Sequence, residues 1–181
     1  MGKSTVVHII NTFGLPVVDT DDLARDVVQP GTHGLEELVS RFGVEFLKAD
    51  GSLDRPKMAA HIFGDVAERK KLEAIIHPRV RVAWQQQINL WREHKHPIVL
   101  VVVPLLYEVG VEAEFDLVLC VACTTGTQRA RLRERGWDQG HVTGRITAQM
   151  DIAEKMNLAD HVIWTEGQEV LLPDQLELVL S

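Results

Sequence analysis

Several features are scarce in this 181-residue sequence, and each absence excludes a class of protein. No apolar run approaches the roughly 20 residues that a membrane-spanning helix needs, and the beginning of the chain lacks the pattern of a secretory signal. Basic residues are outnumbered, with 19 Lys and Arg against 26 Asp and Glu, which argues against binding nucleic acid mainly through its phosphates. We therefore expect a cytoplasmic protein with no membrane and no nucleic-acid partner.

Cysteine is also scarce, since the chain has only Cys120 and Cys123. Their C-x-x-C spacing occurs in redox and zinc sites, but no second C-x-x-C completes a zinc site. Both lie in the apolar stretch LVLCVAC, which is typical of a buried strand. The sequence therefore predicts two buried thiols.

The chain begins with Met1-Gly2-Lys3-Ser4-Thr5, which matches the second half of the phosphate-binding motif G-x-x-x-x-G-K-[ST]. In that motif backbone N–H groups surround the phosphates, the Lys reaches the outer phosphates and the hydroxyl holds Mg²⁺. The first glycine and the strand that leads into it are absent from the sequence, and we expect about ten further residues upstream of Met1. Alone the match is weak, because an ordinary helix start with a Ser or Thr near its cap reads the same way.

The remaining pattern predicts an α/β protein of one domain. Apolar runs that end at Asp19, at Pro104 and at Cys123 are predicted strands, and a fourth covers residues 161–165. The six apolar residues before Pro104 indicate a strand buried on both faces.

Helices connect these strands in the predicted fold. Residues 32–96 are helical by pattern, so they form a predicted helical insert, and Pro78 is expected to start its long last helix. The Gly-rich residues 136–144 join two helices like a lid, and a short final helix is predicted over 171–180.

Acidic side chains follow the first predicted strand in the stretch VVDTDD, which contributes Asp19, Asp21 and Asp22. In open α/β sheets ligands bind at the carboxyl ends of the strands, because loops and helix N-termini converge there. Capping of the following helix by Asp21 or Asp22 is an equally good interpretation.

The ordered set of motifs is more specific than any one of them. In succession come GKST, VVDTDDLAR with VVQPG, ADGSLDR, LEAIIHP, VVVPLLYE, an Arg-rich helix, and AQM and EK with LADHVI. From Gly2 to about Ile163, this succession resembles the dephospho-coenzyme A kinases. The resemblance implies a P-loop kinase of the nucleoside-monophosphate-kinase type, with a five-stranded parallel sheet whose first strand is missing here, a helical substrate domain and a lid. It also implies transfer of the ATP γ-phosphoryl group to the ribose 3′-hydroxyl of dephospho-coenzyme A, the last step of coenzyme A biosynthesis.

The resemblance further assigns roles at the reacting phosphates. Lys3 would contact the β- and γ-phosphates, Ser4 would hold Mg²⁺, and Gly2 and Thr5 would complete this end of the ATP site. Asp21 would be the general base, and Asp19 would support Mg²⁺ or orient the loop, with the reverse assignment left open.

The substrate side and the lid receive further residues from the same resemblance. Arg131 and Arg135 would move in with the lid and neutralise charge in the transition state, and Arg135 would also bind ATP. Thr165 would contact the adenine, although the sequence reads WTEG where many members of the family carry an Asn. The residues expected to bind dephospho-coenzyme A are Arg25, His77, Arg81, Pro104 and Glu108.

A sheet of this type predicts that the missing first strand lies between the strand ending at Asp19 and the one ending at Pro104. Two alternative functions stay open. One is another small-molecule kinase on the same scaffold, such as an adenylate or shikimate kinase. The other is a nucleotide- or coenzyme A-binding protein without catalysis, which the incomplete phosphate-binding motif favours. No oligomeric state is predicted.

Overall fold

A computed structural model describes residues 2–134, 136, 149–168 and 170–180. The chain divides into a terminal unit, Met1–Val17 with Leu105–Ser181, and a middle unit, Val18–Pro104. Arg135 and most of the predicted lid, residues 137–144, lie outside the described residues. Every helix in the part of the chain that the structure describes is too short or too polar to span a bilayer.

In the described residues one or more helices separate successive strands, and helices dominate the middle unit. In chain order the described elements are α1 (Lys3–Thr12), β1 (Val17–Asp19), α2 (Thr20–Asp26), α3 (His33–Phe42), a 3₁₀ turn (Val44–Phe46), α4 (Arg55–Ile62), α5 (Val66–Glu93), β2 (Leu100–Val102), α6 (Leu106–Val109), a second 3₁₀ turn (Glu112–Glu114), β3 (Leu119–Ala122), α7 (Thr125–Glu134), α8 (Ile152–Leu158), β4 (His161–Trp164) and α9 (Leu171–Leu180).

The terminal unit is built on β3 and β4, which pair in parallel from Leu119 opposite His161 to Ala122 opposite Trp164. Parallel neighbours need a crossover connection, and α7 and α8 both lie in the connection between these strands. The side-chain amide of Gln175 in α9 accepts from the Trp164 N–H at 3.0 Å and donates to its carbonyl at 3.2 Å. That amide takes the place of a strand on the other side of β4. The buried core comprises Val6, Ile10, Cys120, Ala122, Cys123, Ile163, Leu172 and Leu176.

The two thiols follow the prediction, because Cys120 and Cys123 are both buried and free. Burial raises the pKa of the Cys120 thiol, and the charge of Lys155 offsets only part of that effect. Both thiols are buried, so neither has the exposure that a reactive cysteine needs.

The middle unit contains one pair of strands and a helical core. Its β1 and β2 form a two-stranded sheet, and the Thr20 hydroxyl at the start of α2 donates to the Val102 carbonyl at 3.0 Å. Apolar residues of α3, α4 and α5 pack with the loops between them. This core comprises Val28, Leu35, Leu38, Phe42, Phe46, Leu53, Met58 and Ile75.

The prediction that Pro78 starts the long helix is wrong, because α5 runs without interruption from Val66 to Glu93. The helix starts earlier because the Asp65 carboxylate accepts from the N–H groups of Ala67 and Glu68, an N-cap that the apolar pattern does not reveal. Proline removes one backbone hydrogen bond from a helix interior. Buried side chains on both sides of the proline offset this loss, and they are Ile75, Val80, Trp84 and Ile88.

The predicted position of a missing strand between β1 and β2 is also wrong, because the two are direct neighbours. A run of apolar residues indicates burial but does not say which strand lies beside it, and the helical crossover between these strands returns the chain next to β1. The second strand is also shorter than predicted, with three residues instead of six, and all three are half-buried. Pairing with one neighbour in a two-stranded sheet leaves such a strand less covered than a central strand would be.

Candidate active site

The phosphate-binding motif lies at the start of α1 in the terminal unit. Gly2 precedes the helix with φ +77°, a left-handed conformation that favours glycine, and it provides no side-chain cap. The first N–H groups of any helix have no partner inside it, and the positive end of the helix dipole attracts anions. The first turn contains no acidic side chain to repel one, and it carries Lys3 and the exposed Ser4. This geometry suits a phosphate group.

Gly2 also approaches Thr165 so closely that a side chain would not fit between them. A Cβ at Gly2 would lie 2.9 Å from the Cβ and the Oγ1 of Thr165, well inside van der Waals contact. Thr165 follows β4 and is 5% exposed. The loop after β4 therefore packs directly against the start of the phosphate-binding motif.

Arg131, in α7, forms hydrogen bonds with the same residue, Thr165. Its Nη2 donates to the Thr165 carbonyl at 2.7 Å, and its Nη1 donates to the Thr165 hydroxyl at 3.0 Å. The structure thus brings together three predicted site residues, Gly2, Thr165 and Arg131, within the terminal unit. They are far apart in sequence, and no local pattern indicates that they meet.

Two polar residues that the sequence reasoning missed lie beside them. The Thr124 hydroxyl donates to the Glu166 carboxylate, linking the end of β3 to the loop after β4. The pKa of Glu166 is lowered by this hydrogen bond and by a second one from the Thr127 side chain, with a smaller contribution from the charge of Arg131. Glu166 is therefore ionised at neutral pH. The signal for Thr124 was a threonine between a strand and a helix, which is typical of a cap.

The acidic stretch occupies the junction of β1 and α2 in the middle unit. Asp19 is the N-cap of α2, and its Oδ1 accepts from the Asp21 N–H at 2.9 Å. The interpretation that Asp21 or Asp22 caps this helix is therefore wrong, because both lie in its first turn. Asp21 is exposed in the first turn of this helix.

Cationic side chains gather near the other end of α2. Arg25 forms an exposed ion pair with Asp22 at 2.9 Å, and the Arg55 Nη2 donates to the Arg25 carbonyl at 3.1 Å. Partial burial and the charge of Arg25 lower the pKa of Arg55, while Asp26 raises it. Sequence reasoning missed Arg55, although it ends the ADGSLDR stretch. Two arginines and two aspartates therefore lie near this end of α2.

The other predicted substrate residues have different surroundings. His77 and Arg81 are exposed and lie four residues apart on α5, so they share one face of that helix. Pro104 follows β2 at the end of the middle unit. Their roles in substrate binding stay predictions.

Glu108 lies in α6 and is engaged by two donors. Its Oε1 accepts from the Lys155 Nζ at 2.7 Å and from the Met150 N–H at 2.9 Å. Burial would raise the pKa of Glu108, but these two hydrogen bonds outweigh it and the pKa is lowered. The Lys155 side chain is 9% exposed and the Glu108 side chain 20% exposed, so this is a largely buried ion pair. The sequence showed both residues but not their contact.

The described residues contain no group of three or more His, Cys, Asp or Glu side chains that could hold a metal ion. Such a group is unnecessary for Mg²⁺ at a phosphate site, because this ion keeps several waters and takes one or two protein oxygens with those of the phosphates. The exposed hydroxyl of Ser4, in the first turn of α1, fits that donor set.

Comparison with known proteins decides between families that share such a site. The family model described as dephospho-CoA kinase matches residues 1–170. The chain belongs to the dephospho-CoA kinase family. A dephospho-CoA kinase of Bdellovibrio bacteriovorus is 39% identical, covering 99% of this chain and 90% of the relative. One of Anaeromyxobacter dehalogenans is 40% identical, covering 99% of this chain and 86% of the relative.

The fold of this chain is similar to those of two solved structures. The Thermus thermophilus protein TT1252 superimposes with a TM-score of 0.84 at 32% identity, covering 99% of this chain and 90% of that one. A dephospho-CoA kinase from Campylobacter jejuni gives a TM-score of 0.73 at 23% identity, with the same coverage, and supports the fold. The predicted α/β P-loop kinase fold is confirmed.

Proposed function

We propose that this chain transfers the γ-phosphoryl group of ATP to the ribose 3′-hydroxyl of dephospho-coenzyme A, which makes it a phosphotransferase with an alcohol acceptor. The products are ADP and coenzyme A, so the reaction completes coenzyme A biosynthesis. The observation that supports the proposal is the start of α1, where Gly2, Lys3 and Ser4 lie at a helix N-terminus without acidic side chains in a member of the dephospho-CoA kinase family. The cytoplasm is the proposed compartment, and the two free thiols suit its reducing conditions.

Phosphoryl transfer needs in-line positioning and neutralisation of charge more than covalent chemistry. The N-terminus of α1 and the Lys3 ammonium would receive the outer phosphates of ATP, with Thr5 next to them in the same turn. Arg131, held by Thr165, would add a second cation to this side. Arg135, predicted for the same role, lies outside the described residues.

The Ser4 hydroxyl would be the protein ligand of Mg²⁺ that accompanies ATP. Mg²⁺ held there would supply positive charge that offsets the charge of the phosphates. The helix dipole and Lys3 act on the same charge, so the ion adds to an environment that already favours phosphate.

The acceptor hydroxyl needs a carboxylate that can take its proton. Asp21 is the better candidate, because its side chain is exposed in the first turn of α2. One carboxylate oxygen of Asp19 already accepts from the Asp21 N–H, so Asp19 is suited to hold the turn in place or to assist Mg²⁺. Asp21→Asn should therefore reduce kcat more than Asp19→Asn.

The anionic groups of dephospho-coenzyme A call for cations on the substrate side. Arg25, His77 and Arg81 were predicted there, and Arg55 joins them because its guanidinium lies against the Arg25 backbone. Glu108 is suited to orient neighbouring backbone, since its carboxylate is engaged by Lys155 and Met150.

A panel of acceptors tests the proposal. The purified chain is incubated with ATP and Mg²⁺ and with dephospho-coenzyme A, AMP or shikimate in turn, and ADP release is measured. We expect release only with dephospho-coenzyme A, and loss of that release in Lys3→Ala. Release with AMP or shikimate alone would favour another kinase of this fold, and ATP binding without ADP release in any mixture would favour a binding protein.

A further inference from the structure

We propose that Thr165 is a positioning residue that holds Arg131 against the phosphate-binding turn, so that the hydroxyl of Thr165 acts on ATP through Arg131. This inference rests on the proposed function and deepens it by adding a residue that orients the nucleotide-binding cation. The evidence is a chain of hydrogen bonds that runs from the carbonyl of a buried strand residue, through Thr165, to a guanidinium.

The hydroxyl of Thr165 is directed by two partners. It donates its single hydrogen to the Ala122 carbonyl at 3.0 Å, and it accepts from the Arg131 Nη1 at 3.0 Å. A hydroxyl has one hydrogen and two lone pairs, so donation to Ala122 leaves lone pairs for the guanidinium. Thr165 therefore presents an acceptor whose direction is set by strand β3.

The carbonyl of the same residue completes a fork. Arg131 donates from Nη2 to the Thr165 carbonyl at 2.7 Å, so two nitrogens of one planar group contact two oxygens of one residue. A guanidinium presents its N–H groups in a rigid plane, and two bonds of this kind fix its orientation, whereas a lysine ammonium could not match them.

The anchor itself is held by the core of the terminal unit. The Thr165 N–H also donates to the Ala122 carbonyl, at 2.9 Å, and this extends the pairing of β3 and β4 by one residue. Ala122 is 0% exposed and Thr165 is 5% exposed, so water does not compete for these hydrogen bonds. Thr165, which accepts both hydrogen bonds from Arg131, is therefore itself held in place.

Thr165 also lies against Gly2, the first residue of the phosphate-binding turn. Thr165 lies so close to Gly2 that an added Cβ there would be 2.9 Å away. Anchoring Arg131 on Thr165 thus places its charge beside the residue that precedes Lys3. The two bonds to Thr165 use two of the five guanidinium N–H donors, and the other three are the donors we assign to phosphate oxygens of the nucleotide.

Substitution of the hydroxyl alone tests this inference. Thr165→Val keeps the shape and the backbone carbonyl but removes the hydroxyl, whereas Thr165→Ser restores it. We expect Thr165→Val to lower kcat/KM for ATP about 10- to 100-fold, and Thr165→Ser to stay within about 3-fold of the natural chain. Thr12→Val is the matched control, because the Thr12 hydroxyl also donates to a backbone carbonyl, that of Ile9 at 2.6 Å, and lies on the exposed end of α1.

A double-mutant cycle separates positioning from a purely structural effect. If Thr165 acts through Arg131, Thr165→Val should cost no further activity in the Arg131→Ala background. Arg131→Lys, which keeps the charge but not the fork, should resemble Thr165→Val even though residue 165 is unchanged. Equal losses from Thr165→Val in both backgrounds, or natural activity of Arg131→Lys, would overturn the inference.

Binding of a non-hydrolysable ATP analogue provides a readout that needs no turnover. Calorimetric titration should show the same coupling, with weaker binding in Thr165→Val and none of that weakening in the Arg131→Ala background. If the natural chain fails to phosphorylate dephospho-coenzyme A, the proposed function fails while this titration still tests the role of Thr165. Unchanged analogue affinity in Thr165→Val, together with unchanged kcat/KM, would refute the role itself.

Discussion

The buried ion pair between Glu108 and Lys155 makes a quantitative prediction about stability. Substitution of Lys155 by Met keeps the length and the apolar stem of the side chain but leaves the Glu108 carboxylate without its cation. The pair is close, at 2.7 Å, and the exposed fractions of the two side chains are 9% for Lys155 and 20% for Glu108. One hydrogen bond to the carboxylate would remain, from the Met150 N–H at 2.9 Å.

The magnitude follows from the burial of this pair. Removal of one partner from a buried ion pair costs about 3 to 5 kcal/mol, because the remaining charge stays desolvated. The residual exposure of Glu108 and its bond to Met150 place the expected loss near the lower end, at about 2 to 4 kcal/mol. For a chain of this size that corresponds to a decrease in Tm of roughly 5 to 15 °C.

Urea and thermal unfolding, followed by circular dichroism, would measure this loss. Arg69→Met is the matched control, because Arg69 forms an exposed pair with Glu73 at 3.7 Å, with exposed fractions of 50% and 41%. Its loss should stay below about 1 kcal/mol. The double variant Glu108→Gln/Lys155→Met should recover part of the stability, since no buried charge remains. A Lys155→Met variant as stable as the Arg69→Met control would show that the loss of Lys155 leaves no uncompensated buried charge.

Three further predictions concern other contacts. The pKa of Glu108 is lowered, so its ionised carboxylate contributes fully to the free energy of unfolding above its ordinary pKa of 4.5, and this contribution is lost as the pH falls through the pKa of the folded state. The difference in unfolding free energy between the natural chain and Glu108→Gln should therefore shrink on acidification. A difference that grows on acidification would contradict this. Gly34→Ala should destabilise the chain by about 1 to 3 kcal/mol in thermal unfolding, because the new Cβ would lie 2.0 Å from the Val27 carbonyl oxygen. The control is Gly126→Ala, whose new Cβ has no neighbouring atom closer than 3.8 Å. Equal stability of the two variants would contradict the expected clash. Gly2→Ala should weaken binding of an ATP analogue at least about tenfold, because φ is +77° there and the space for a side chain is filled; natural affinity in a titration would show that the turn does not form the phosphate site.

Local patterns in the sequence predicted much of the fold. The apolar spacing of residues 171–180 gave the last helix with the bounds that the structure shows, and the apolar run around Cys120 gave a buried strand. Both signals depend only on residues near each other in the chain. The start of the long α5 was missed because proline is a strong signal for a helix start, while the Asp65 cap lies 13 residues before Pro78.

Contacts between distant residues could not be predicted in the same way. The pairing of β1 with β2 depends on the path of the helical crossover, and apolar runs do not specify it. In the candidate site too, local motifs could be predicted but contacts between distant residues could not. Gly2, Lys3 and Ser4 follow from a motif, but the contact of Arg131 with Thr165 spans 34 residues and the pair of Glu108 with Lys155 depends on how α6 and α8 pack.

The central claim is that the chain phosphorylates the ribose 3′-hydroxyl of dephospho-coenzyme A. Its most direct test is to incubate the purified chain with Mg²⁺, ATP and dephospho-coenzyme A and to determine the product by mass spectrometry and phosphorus NMR. We expect a product heavier by one phosphoryl group, with a new phosphomonoester on the 3′-oxygen, and the loss of this product in Asp21→Asn. Unchanged dephospho-coenzyme A, or a phosphoryl group on another oxygen, would contradict it.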